Sequence, residues 1–94
     1  MTPKDRMLAI LRRVFAGEAL SHACRVEGRY PIKYAALFHG LEAEIIDRLA
    51  AGQKLPKTAQ RAWIRYQRTA ALVADMRSGA RSVPATIRLL RSLR

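Results

Sequence analysis

The sequence predicts an all-α protein: a small single-domain bundle, residues 1–94, of five or six helices, with one long basic amphipathic helix. Three observations predict it. Apolar residues recur three and four apart in every segment. Glycines and prolines fall where helices would end or begin. No alternating apolar run joined by a tight turn marks a hairpin. Half of the 94 residues are hydrophobic, enough for a modest core and little spare stability.

Thr2 and Pro3 suit the cap and first turn of a helix, with Asp5 at its positive end. Met7, Leu8, Ile10, Leu11, Val14 and Phe15 follow with helical period, and Gly17 ends the segment. Ala19–Val26 is a short second helix stopped at Gly28. Pro31 then opens a third, burying Tyr34, Leu37 and Phe38 and ending near Gly40. In the fourth, Leu41, Ile45, Ile46 and Leu49 are apolar, Glu44 and Arg48 form an i,i+4 pair, and Gly52 is the stop. The long helix runs from Leu55 to Arg77, with Pro56 in its first turn. Ser78-Gly79 ends it, and Ser82 caps a last helix, Val83–Leu93, with Val83, Ile87, Leu90 and Leu93 in register. The expected core includes Leu8, Leu11, Phe15, Leu37, Ile45, Leu49 and Trp63.

The long helix sorts its residues by face. At about 100° per residue, Lys57, Arg61, Arg65 and Arg68 fall within one narrow sector. Ala59, Ala62, Trp63, Tyr66, Ala70 and Val73 fall opposite. Leu72 and Asp75 interrupt the basic sector. Four cations on one face repel each other, and a helix shaped for stability alone would interleave acids with them. A merely solvated face is the plain alternative.

The charge balance favours a ligand. The chain carries +11, distributed unevenly: residues 1–47 hold 7 Lys/Arg against 6 Asp/Glu, and residues 48–94 hold 11 against Asp75 alone. A one-sided field of this kind attracts polyanions, nucleic acid above all. No apolar run exceeds five residues, so no membrane span is expected. The start of the chain lacks a signal-peptide core, and a single Cys permits no internal disulfide. The expected setting is cytoplasmic.

Catalysis and metal binding find no support. His22, Cys24 and His39 match no zinc spacing. No phosphate loop or nucleophile elbow is present, and no cofactor is implied. Trp63 reads as core. Tyr66, beside Arg65, is a candidate for stacking on a base.

Two families resemble the chain. Leu8–Phe15, Pro31-Ile32-Lys33, Ile45–Leu49, Leu55–Tyr66 and Gly79-Ala80-Arg81 follow the order of segments in the FinO/ProQ family of RNA chaperones, which the sequence resembles. The resemblance implies binding at the base of an RNA hairpin and its single-stranded 3′ tail. Lys33, Lys57, Arg61, Arg65, Tyr66 and Arg81 are the positions carried over, and Arg68 joins them from the stripe. Ala23-Cys24-Arg25-Val26-Glu27-Gly28, followed by Tyr34, Leu37 and Phe38, is similar to helix-turn-helix domains of the small-terminase and transposase type. That resemblance implies a small DNA-binding regulator, dimerising through its C-terminal helices. A protein-interaction module for an acidic partner is the third reading. The charge lies with the RNA reading.

Overall fold

The computed structural model describes residues 2–29 and 31–93, which form six helices and no strand. In chain order they are α1 (Pro3–Phe15), α2 (Leu20–Val26), α3 (Tyr34–Gly40), α4 (Glu42–Ala50), α5 (Lys57–Arg77) and α6 (Val83–Ser92). The fold is all-α. Two compact units divide the chain, Met1–Trp63 and Ile64–Arg94, and α5 runs from the first into the second.

In the first unit, α1 opens on a reciprocal cap. The Thr2 N–H donates to Asp5 Oδ2 at 3.1 Å and the Asp5 N–H donates to Thr2 Oγ1 at 3.2 Å. The backbone N–H of Thr2, and after it the Thr2 side chain, holds the Asp5 carboxyl below the usual carboxylate range. Pro3 occupies the first turn, where its missing N–H costs nothing. Past the last turn, Gly17 takes φ +102°, which a side chain would resist. α1 then packs on α2, and Arg13 fixes the pair: its Nε donates to Glu27 at 2.6 Å and its Nη1 to Glu18 at 3.2 Å.

Pro31 does not open α3. Lys33 is still extended (φ −78°, ψ 151°), and the helix starts at Tyr34. In the first turns of α3, Tyr34 stacks on Phe38, with centroids 5.3 Å apart and planes at 22°. α5 likewise begins two residues later than Leu55. Leu55 instead buries its side chain in the core, and its carbonyl accepts from Gln60 Nε2 at 2.6 Å.

Ile10, Leu11, Val14, Ala23, Cys24, Leu37, Phe38, Leu41, Ile45, Leu55, Ala59 and Trp63 are buried in this unit. Leu11, Leu37, Ile45 and Trp63 are core, as their spacing predicts. Leu8, Phe15 and Leu49 are only half-buried. Leu8 and Phe15, seven apart, share one edge of a stripe centred on Ile10, Leu11 and Val14. The Arg48 guanidinium covers the Phe15 ring at 5.6 Å. Ile46, apolar but on the outer side of α4, is exposed.

The second unit is built differently. Gly79 (φ +82°) turns the chain, the Arg81 N–H donates to the Asp75 carbonyl at 3.2 Å, and Ser78 Oγ donates to the same carbonyl at 3.1 Å. Ser82 caps α6 by accepting from the Ala85 N–H at 3.3 Å. Only part of the stripe the spacing predicts faces inward on α6: Leu90 and Leu93 are half-buried, Val83 and Ile87 are 54% and 45% exposed, and Thr86 is buried. Thr86 Oγ1 donates to the Ser82 carbonyl at 2.9 Å, so its hydroxyl is satisfied within its own helix and can leave water. Among the described residues from Ile64 onward, Thr86 alone is buried.

Candidate nucleic-acid interface

α5 is amphipathic because its small and aromatic residues repeat with the helix. Ala59 and Trp63 are buried, and Ala62 and Tyr66 half-buried. Trp63 meets Phe38 edge-to-face within the core of the first unit. Lys57, Arg61, Arg65 and Arg68 therefore point the other way, and all four are exposed. Among the described residues, no ion pair engages any of the four. Arg65 donates to the Leu93 carbonyl at 3.3 Å, an uncharged acceptor.

The sector contains one acid, Asp75. Arg81 Nη2 lies 3.4 Å from its Oδ2, and that pair offsets the only negative charge on α5. Arg81 is half-buried, and its Nε is buried without a hydrogen-bond partner. Lys33 is exposed at the N-cap of α3, on a different element from the row. Thus α5 brings together four of the seven sequence-predicted cationic and aromatic positions in one phase. Tyr66 stands on the opposite side of α5, and Lys33 and Arg81 stand outside it.

Sequence reasoning missed what Leu72 does. Within the second unit, Arg68, Ala71, Leu72, Leu89, Ser92 and Leu93 line a groove of about 330 Å³ between α5 and α6. The sector that carries free cations at its start becomes the edge facing α6 near its end. An apolar residue in a basic sector was the available signal.

Around α2 and α3, Arg29 is half-buried, with its guanidinium donating to the Pro3 carbonyl at 3.3 Å, and His22 and His39 are exposed. Cys24 is buried, and among the described residues no three His, Cys, Asp or Glu side chains cluster to hold a metal. No helix of the described residues is long and apolar enough to cross a membrane. Compared with protein-family models, curated proteins and solved structures, the chain matches none.

Proposed function

We propose that this is a non-enzymatic nucleic-acid-binding protein whose α5 face holds the phosphates of a structured RNA, at the base of a hairpin and along its 3′ tail. One observation carries the reading: four exposed cations share a helix face on which the single acid is already paired with Arg81. At about one helical turn between neighbours, these charges repel each other, and a polyanion relieves the repulsion while releasing its own counterions. Tyr66 is half-buried on the other side of α5, and its ring stacks an unpaired base where the 3′ tail passes around the helix. The choice of RNA over DNA rests on the resemblance to FinO/ProQ chaperones.

A helix-turn-helix reading draws on α2 and α3, two short helices joined through residues 27–33 with Lys33 at the second cap. Its reading helix is poor in donors: Ala35, Ala36, His39 and Gly40 are its exposed residues.

The test is a binding titration over a range of salt. It compares an RNA hairpin with a 3′ tail, the same hairpin trimmed blunt, and duplex DNA. The tailed hairpin should bind tightest. Equal affinity for blunt hairpin and tailed hairpin removes the tail from the reading, and tighter binding to duplex DNA replaces it with the helix-turn-helix alternative.

A further inference from the structure

We infer that the second unit docks an acidic amphipathic helix in the groove between α5 and α6. The groove is apolar along Ala71, Leu72, Leu89 and Leu93, and Arg68 and Ser92 stand on its lining as the polar members. Two helices alone cannot enclose a core, and this pair does not: only Thr86 is buried among the described residues of the unit, while Val83, Ile87 and Leu89 are 54%, 45% and 37% exposed. A third helix laid along the groove would cover Leu72, Leu89 and Leu93 by the packing that builds helical bundles.

Charge selects the occupant. Residues 64–94 carry seven arginines against Asp75, a net +6, and Asp75 is held by Arg81. A second copy would bring the same +6 within about one Debye length, roughly 8–10 Å, and be repelled. A groove between two helices takes a ridge of side chains from a third helix. The remaining fit is a helix with apolar anchors at i, i+3/i+4 and i+7 and glutamates on its flanks, one of which meets Arg68 on the groove lining. Docking stands independently of nucleic-acid binding, but Arg68 belongs to both the groove and the basic row, so the two ligands compete for it.

The experiment uses the full chain and a labelled synthetic peptide of leucine and glutamate in that register. Controls are a scrambled peptide of identical composition and vesicles containing anionic lipid. The patterned peptide should bind at least about tenfold more tightly than the scrambled one. Leu89→Asn, at a position 37% exposed, should lose about tenfold or more of that affinity with an unchanged circular dichroism spectrum. Equal binding of both peptides would reduce the groove to bulk charge and overturn the proposal. So would no peptide binding, a Leu89→Asn variant that binds like the parent, or a parent dimer that this substitution dissociates. Vesicle binding that Leu89→Asn abolishes while the peptides bind alike would assign the face to a membrane instead. RNA binding is measured in parallel on the parent and on Leu89→Asn. Peptide failure with RNA affinity intact sinks the docking proposal alone, and RNA failure with peptide affinity intact sinks the nucleic-acid reading alone.

Discussion

The rings of Phe38 on α3 and Trp63 on α5 meet at 86° with their centroids 5.2 Å apart. This edge-to-face contact sets the rotation of α5 about its axis within the first unit. With Trp63 and Ala59 inward, Lys57 and Arg61 are left on the solvent side. One aromatic pair thus links the core to the basic row.

Trp63→Ala should therefore destabilise the protein by about 3–5 kcal/mol, the usual cost of emptying a buried aromatic site. Of this, the edge-to-face geometry accounts for roughly 0.5–1.5 kcal/mol beyond area burial. Urea unfolding followed by circular dichroism measures it. An unchanged midpoint would contradict the burial of the ring.

Arg61→Ala combined with Arg65→Ala should lower the slope of log affinity against log salt by about 1.4 on single-stranded RNA, at about 0.7 per phosphate contact. Folding should be unaffected, since both side chains are exposed and neither is in an ion pair among the described residues. Tyr66→Ala should weaken binding with little change of slope, because stacking neutralises no phosphate. A double variant that keeps the parental slope would make the row a solvated face.

The cap at the start of α1 should give an acid-side pH dependence. Hydrogen bonds from Thr2 hold the Asp5 carboxyl below its unfolded value. A depressed carboxylate contributes stability above the unfolded pKa, about 3.9, and loses it as pH falls through the folded value. Thermal unfolding of the parent and of Asp5→Ala should differ at neutral pH, and the difference should shrink in strong acid. A gap that widens on acidification would reverse the sign and contradict the cap.

Hydrogen exchange should separate the two units. Local openings cost least where few apolar groups are buried. Amides of α6 and of the C-terminal half of α5 should exchange before those of α1 and α4. Uniform protection along all six helices would contradict this.

What the sequence determined by itself was local. Thr2 with Asp5, Ser82 with Ala85, the glycines at 17 and 79, and the period of apolar residues fix where helices start and stop, because caps and turns act over three or four residues. The basic row was legible for the same reason: residues on one helix share a face by phase alone. The inward position of Trp63 also followed, since Ala59 and Tyr66 repeat beside it.

Tertiary structure decided what the period leaves open. An apolar stripe has a centre and two edges, and only the neighbouring helix says which residues become core. Leu8 and Phe15 fell on an edge, whereas Ile10 and Val14 took the centre. On α6 the buried residue is Thr86, chosen because its hydroxyl is satisfied by the Ser82 carbonyl, while Val83 and Ile87 stay in water. Leu72 looked like a flaw in a basic face until α6 turned back at Gly79 to place Leu89 and Leu93 on the same groove. Short-range hydrogen bonds and helical phase are written in consecutive residues. Burial is a relation between segments far apart in the chain, and it exists only once they meet.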